Sequence, residues 1–199
     1  MLASITPLGE RGRNRRWATT AAFYTSGSIA GGALRGALLG AAGSLLPAPW
    51  RPSPAGVGLV LAALLVAAAA SEKGWLPIAV PGPHRQVDEA WLESYRGWVV
   101  GVGFGAQLGF AGVTYITSAA TYVVFAAEVL TFTWRGGMAL GAVFGAARAV
   151  PLLAAAWITT PQRLRLAHAR MGGAAAAAHS VVALVFALAA VALVAGAIV

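Results

Sequence analysis

The sequence predicts an all-α fold, a polytopic bundle of membrane-spanning helices, and three observations carry the prediction. Of its 199 residues, 59% are hydrophobic and only 10% are charged, whereas soluble domains carry about a quarter charged residues. Several apolar runs approach the roughly 20 residues that a helix needs to cross a bilayer. Proline-rich or basic segments separate these runs, as turns and membrane-surface loops would. A soluble enzyme with a single core is therefore excluded.

Domain organisation follows from the charge distribution. Residues 1–17 are too few and too charged to cross, and they predict a cytoplasmic N-terminal lead-in. Residues 18–199 predict a single transmembrane bundle domain with one polar loop at 72–96. The net charge of +8 lies at segment ends, where the positive-inside bias and anionic headgroups account for it, so no nucleic-acid partner is expected. With no cysteine, thiol chemistry and thiolate metal sites are excluded, and we expect no cofactor.

Five apolar spans are predicted in chain order, each ending at a turn or loop. They are about Ala18–Leu46, Ala55–Ser71, Arg96–Leu130, Met138–Trp157 and Ala174–Val199. Glycines recur at helical spacing in the first span, which predicts close packing against a neighbouring helix. Pro47–Pro54 predicts a tight turn, Pro151 predicts a kink, and "ITTPQRLRLAHARMGG" predicts a basic loop before the last span.

The third span is too long for one straight crossing. A helix from Arg96 to Leu130 would be roughly 50 Å long, against an apolar layer of about 30 Å. We expect a break within Gly109–Thr121, because glycines weaken the helix there and Thr and Ser side chains can bond the freed backbone groups. Discontinuous membrane helices commonly mark solute or ion sites. The sequence therefore predicts one discontinuous helix at a binding site.

The basic residues predict the topology. If Arg96–Leu130 crosses once, ten basic residues face one side and two face the other; a double crossing would divide them more evenly. The first arrangement follows the positive-inside rule, and it predicts five crossings with a cytoplasmic N-terminus and an external C-terminus. Thirteen arginines against one lysine are typical of a GC-rich bacterial genome, so we expect a bacterial inner (plasma) membrane protein.

Two segments with the same order of features suggest an inverted repeat. One begins "ITPLGERGRNRRW" and the other "YITSAATYVVFAAEVLTFTW". Each continues into a glycine-rich span with one arginine, Arg35 in the first and Arg148 in the second. By the charge count the two spans run in opposite senses through the membrane, as an inverted repeat requires.

The order "GWVVGVGFGAQLGFAGVTYITSAA…WRGGMALGAVFGAARAVPLLAAAW" resembles the second half of the cytochrome c biogenesis membrane proteins, CcdA and the membrane domain of DsbD. It resembles the LysE/TauE exporter group more loosely. The resemblance covers about Ser4–Leu46 and Arg96–Trp157, and it implies inverted three-helix repeats whose first helices are broken. The electron carriers of that family hold a cysteine beside proline at each break, but "SITPLGE" and "VTYITSA" have none. Electron transfer is therefore not implied, and the chain resembles a cysteine-less relative.

Polar residues within or beside the spans are the candidate substrate-binding residues. They are Arg35, Gln107, Thr114, Thr117, Ser118, Thr121, Glu128 and Arg148. Ionisable groups at membrane depth cost several kcal/mol unless they are paired. Glu128 is the one acid among them, with Arg148 or Arg35 as its natural partner, and a structural ion pair is the alternative. Gln107 favours an interhelical hydrogen bond over a ligand contact, and His179 is typical of a membrane edge.

Two functions of different class remain open. The first is a small-solute transporter or exporter, acting at the broken helix, with the arginines favouring an anion. The alternative is a non-catalytic membrane subunit that scaffolds or stabilises a larger complex. No nucleophile–base pair, phosphate loop or metal-ligand cluster appears, so catalysis is not expected. The expected partners are the lipid bilayer and a membrane protein or a second copy of the chain.

Overall fold

The described residues are helical and include no strand, so the predicted all-α class is confirmed. The computed structural model describes residues 5–76, 94–112 and 118–198. Short 3-10 turns occupy Ala48–Trp50 and Ala155–Trp157. The helices are α1 (Pro7–Gly12), α2 (Trp17–Ser44), α3 (Pro54–Glu72), α4 (Gly97–Phe110), α5 (Ala120–Val129), α6 (Trp134–Ala154) and α7 (Pro161–Ile198).

Hydroxyl side chains cap the starts of several helices. Thr6, Ser53 and Thr133 precede α1, α3 and α6, and each side-chain oxygen accepts the backbone N–H three residues later, at 3.1 or 3.2 Å. Pro7 and Pro54 occupy the first helical position, where proline's missing N–H has no partner to lose. At α3 this pattern places the observed start, Pro54, one residue from the predicted start of the span, Ala55.

Three described helices are long and apolar enough to cross a membrane. They cover Pro54–Glu72, Trp134–Trp157 and Ala177–Ala197, and each agrees with a predicted span. Helix α2 is long enough, with 28 residues, but its glycines, hydroxyls and Arg35 make it less apolar. A membrane bundle is therefore consistent with the structure, and the number of crossings stays a prediction.

The long third span is interrupted where the sequence predicts a break. Helix α4 ends at Phe110, and Ala111 adopts a left-handed conformation with φ of 58°. Its N–H bonds the carbonyl of Gln107 at 3.1 Å, a helix-ending arrangement. The next helix among the described residues, α5, begins at Ala120. The predicted break is confirmed, although Thr114 and Thr117 lie outside the described residues.

The predicted basic loop before the last span is wrong. Helix α7 begins at Pro161 and runs for 38 residues, so this segment is helical. Thr160 supplies the cap, its hydroxyl accepting the N–H of Arg163 at 3.3 Å. The segment is rich in Gln, Arg, Leu and Ala, which all favour helix, and its charge obscured that propensity. The basic residues therefore project from the same helix that forms the last apolar span.

Helix α2 lies between α4 and α6, which pack against different faces of it. Gly27 lies against the backbone of Val102, and Gly31 against that of Ala106. Both numbers rise together, so α2 and α4 run parallel. A Cβ atom at either glycine would collide with the α4 backbone. Glycine is therefore required for this close approach of two helices.

A second close contact through glycines, which we call the glycine seam, joins α2 to α6. Gly32 lies against Gly141, and Gly36 against Gly137, so the numbers run in opposite directions and the helices are antiparallel. At each position the opposing residue is itself a glycine. Backbone meets backbone along this seam, with no side chain between. Opposite directions are what the predicted inverted repeat requires of these two helices; the repeat itself stays a prediction.

Helix α1 packs against α2 and against the 3-10 turn Ala155–Trp157. The N–H of Leu8 donates to the carbonyl of Ile158 at 3.2 Å, and the indole N–H of Trp17 donates to that of Ile5 at 3.1 Å. The segment expected to lead into the bundle thus contributes to its core. The core residues are Ile5, Ala21, Tyr24, Val100, Phe104, Ala149 and Leu152.

Helices α3 and α7 form a separate antiparallel pair. His179 contacts Glu72 at one end, while Gly58 lies near Leu193 and Ala197 at the other. This pair adjoins the rest of the bundle chiefly through contacts of α3 with α5. The start of α5 therefore lies where the two parts of the structure meet.

Candidate functional site

Arg35 and Glu128 form a buried ion pair between α2 and α5. The Nη2 atom of Arg35 lies 2.6 Å from Oε1 of Glu128, and its Nε atom lies 3.0 Å from Oε2. This is the two-pronged geometry that a guanidinium and a carboxylate favour. Arg35 is 3% exposed and Glu128 is fully buried. Of the two partners predicted for Glu128, the structure pairs it with Arg35.

The same guanidinium closes the end of the interrupted helix. Its Nη1 atom donates to the carbonyl oxygens of Gly109 and Phe110, at 2.9 and 3.0 Å. The last carbonyls of a helix have no partner within that helix, and cations near this end are favoured. Arg35 therefore joins α2, the end of α4 and, through Glu128, the second half of the broken helix.

Two aromatic rings flank this ion pair. The guanidinium carbon of Arg35 lies 4.6 Å from the ring centre of Phe125 and 4.5 Å from that of Phe144. Both distances are within the range for cation–π attraction. The rings exclude water from the pair, which strengthens the attraction between the charges and also raises the penalty for separating them.

Arg148 is the other arginine predicted within a span, and its surroundings differ. It is half-buried on α6, with its guanidinium carbon 5.5 Å from the ring centre of Phe144. Its electrostatic neighbours are Tyr24 and Arg35. No hydrogen bond or ion pair to Arg148 occurs among residues 5–76, 94–112 and 118–198. Arg35 is thus neutralised within the chain, whereas the contacts of Arg148 among the described residues are aromatic, with the positive charge of Arg35 nearby.

The remaining predicted residues lie around the break. Gln107 is in the last turn of α4, half-buried, and Thr121 is buried in the first turn of α5. Ser118 lies just before α5 and turns away from Arg35, its hydroxyl donating to Glu72 at 2.6 Å. The structure brings together Arg35 and Glu128 but not Ser118. Whether any of these residues contacts a solute stays a prediction.

A second polar cluster joins the two parts of the bundle. Glu72 accepts the hydroxyl of Ser118 on one oxygen and Nδ1 of His179 on the other, both at 2.6 Å. Nearby, Lys73 donates to Ser180 at 2.9 Å. The cluster links α3, α7 and the end of the break. These contacts join positions 46 and 107 residues apart in the chain, so no local sequence pattern could have indicated them.

Glu10 is a buried acid that sequence reasoning placed in the lead-in. Its side chain is fully buried, accepts the hydroxyl of Thr20 at 2.5 Å and lies 3.4 Å from Arg13. The start of α1 was the available clue, since Thr6 followed by Pro7 is a helix-start pattern that places Glu10 on a helix. Glu10 holds α1 against α2.

The polar contacts described above connect different helices. No group of three or more metal-ligating side chains occurs in the part of the chain that the structure describes. Glu72 lies between Ser118 and His179 and bonds both side chains. The acids and Arg35 hold helices together.

Comparisons with known proteins identify a set of relatives. The chain is 31% identical over 154 residues to the methylamine utilization protein MauF of Paracoccus versutus, which covers 75% of this chain and 56% of the relative. It is 29% identical to MauF of Methylophilus methylotrophus (76% and 53%) and 29% identical to MauF of Paracoccus denitrificans (75% and 55%). The chain spans about half the length of the curated relatives that it matches. No protein-family model and no solved structure matches it.

The resemblance to CcdA, DsbD and the LysE/TauE exporters is therefore wrong, because the relatives found are named MauF. That resemblance rested on glycine and alanine patterns. In this chain those glycines allow α2 to pack closely against α4 and α6. Closely packed membrane helices in general need small residues at such contacts. Such patterns report packing and do not distinguish families. By sequence, the chain is similar to MauF.

Proposed function

We propose that the chain is a non-catalytic accessory subunit of the bacterial inner membrane that scaffolds or stabilises a larger membrane complex serving methylamine utilization. The observation that carries the proposal is the contrast between the two arginines predicted within the spans. Arg35 is neutralised by Glu128 inside the chain, whereas Arg148 has no acidic partner in the described part. The names of the relatives supply the metabolic context.

An unpaired arginine argues for a partner. Within an apolar layer a lone guanidinium costs at least about 2.5–3.5 kcal/mol, so such residues pair or face a polar cavity. Arg148 lies inside Trp134–Trp157, beside the exposed residues Ala147 and Pro151 of the same helix. Small side chains there leave room for another helix to approach. A carboxylate on a partner subunit would neutralise Arg148 as Glu128 neutralises Arg35.

Transport has less support. Every nitrogen of the Arg35 guanidinium donates to a protein oxygen, so the predicted anion site would have to form around Arg148. The relatives are named for methylamine utilization, and their names include no transport activity. We therefore prefer the scaffold function to transport.

The proposed topology has five crossings with a cytoplasmic N-terminus. Parallel α2 and α4, and antiparallel α2 and α6, support a single crossing by the broken helix α4–α5. We expect a reporter that is active only in the cytoplasm to be active when fused after Thr160 and inactive when fused to Val199. Equal activity at both positions would contradict the arrangement. A fusion after Arg51, on the external side in this scheme, provides the negative control.

Purification in mild detergent tests the scaffold function. The tagged protein should co-purify with a membrane protein in fixed stoichiometry, and Arg148→Leu should reduce that recovery at least tenfold while the chain itself stays folded. Arg148→Lys, which keeps the charge, should retain most of it. Deleting the gene should impair growth on methylamine and spare growth on other substrates.

Two results would overturn the proposal. One is the combination of a chain that purifies without a partner and a gene-deletion strain that grows normally on methylamine. The other is solute uptake by vesicles that contain only the purified protein, if Arg148→Leu abolishes it, because that outcome would restore transport.

A further inference from the structure

An apolar pocket of about 480 Å³ lies between the end of α6 and the first half of α7. This volume falls within the range of about 300–1,000 Å³ that small-molecule sites occupy. Most of its lining is apolar, including Pro151, Ala154, Ile158 and Met171. The pocket lies apart from Arg35 and Glu128, and neither residue lines it. It is a concave site that the scaffold function does not use.

Basic groups border this otherwise apolar pocket. Arg170 and His168 both belong to its lining, and both are exposed. Arg170 has no carboxylate partner within the described residues. The Nδ1 atom of His168 donates to the carbonyl of Leu164 at 3.0 Å. No described residue bonds the guanidinium of Arg170, so a ligand that complements the site has an apolar body and an anionic head.

The position of the pocket along the helices indicates the source of that ligand. Pro151 and Ala154 lie near the end of the candidate span Trp134–Trp157, whereas Arg170 lies before the start of the candidate span Ala177–Ala197. The seven residues from Arg170 to Ala177 correspond to about 10 Å of helix. The site therefore extends across the boundary between the apolar layer and the headgroups. Trp157, a residue type enriched at that boundary, contributes to its wall.

We infer that this pocket binds an anionic phospholipid, with an acyl chain against Pro151, Ala154 and Met171 and the headgroup phosphate on Arg170. A guanidinium binds phosphate through paired N–H donors. An apolar chain in the pocket removes both its own surface and the pocket lining from water. The bound lipid would hold α7 against the end of α6, beside the small core of Ala155, Ile158 and Ala167.

Titration of the detergent-purified chain with defined lipids tests the site. We expect phosphatidylglycerol to raise the unfolding temperature saturably, with phosphatidylcholine acting much more weakly. Arg170→Gln should weaken the apparent affinity for phosphatidylglycerol about tenfold, because it removes the charged donor to the phosphate. Arg165→Gln is the matched control, because Arg165 is an exposed arginine of the same helix that does not line the pocket.

A second pair of variants tests the apolar part of the pocket. Ala154→Trp should fill the pocket and abolish saturable stabilisation, whereas Ala156→Trp, at an exposed position outside the lining, should preserve it. Equal responses of the Arg170 and Arg165 variants would mean general electrostatic attraction and would overturn the proposal. So would full stabilisation by inorganic phosphate alone, which would indicate a soluble anion in place of a lipid.

Discussion

Replacing Arg35 by leucine should destabilise the bundle by about 3–5 kcal/mol, because the change leaves Glu128 buried and unpaired. It also removes the donor to the carbonyls of Gly109 and Phe110 at the end of α4. Glu128→Gln in the same chain should recover part of the loss, since it removes the uncompensated charge. Thermal unfolding in detergent of the two single variants and the double variant measures the coupling.

Arg148 provides the control for that cycle. It is the other arginine that the sequence offered as a partner for Glu128, but the structure shows no contact between them. The effects of Arg148→Leu and Glu128→Gln should therefore add, with a coupling near zero. Strong coupling in this second cycle, or unchanged stability of Arg35→Leu, would mean that the ion pair is assigned to the wrong arginine.

Gly36→Ala should destabilise the protein by about 1–3 kcal/mol or prevent its folding, despite adding a single methyl group. A Cβ atom at Gly36 would collide with the backbone of Gly137, which cannot move aside as a flexible side chain could. Helices α2 and α6 would have to separate along the whole seam. The unfolding temperature and the yield of folded protein in detergent measure the effect.

Gly196→Ala is the matched control, because nothing lies within 4 Å of a Cβ atom built there. Alanine favours helix over glycine by up to about 1 kcal/mol, so this variant should be neutral or slightly more stable. If both alanine variants behaved alike, the close approach of α2 and α6 would be wrong. If Gly36→Ala alone were tolerated, the seam would be looser than the structure indicates.

The helical class and most of the spans could be predicted from the sequence. Apolar runs of sufficient length, proline turns and hydroxyl caps are local features, so α2, α3 and α6 begin and end close to the predicted residues. The interruption after Phe110 was also predictable, because a helix through the whole run would exceed the thickness of the apolar layer. The first part of α7 was predicted as a loop because it is basic, although its composition favours helix.

Which side chains contact each other follows from the packing of the helices and could not be predicted from the sequence. From the sequence, either Arg35 or Arg148 could pair with Glu128. The packing of α2 beside α5 places Arg35 next to it. The contacts of Glu72 with Ser118 and His179 join distant positions that no local pattern connects. Glycines predicted close packing without naming the partner helix, because a missing side chain is compatible with any neighbour. Pairing across a bundle depends on how whole helices pack, and that is a property of the folded chain.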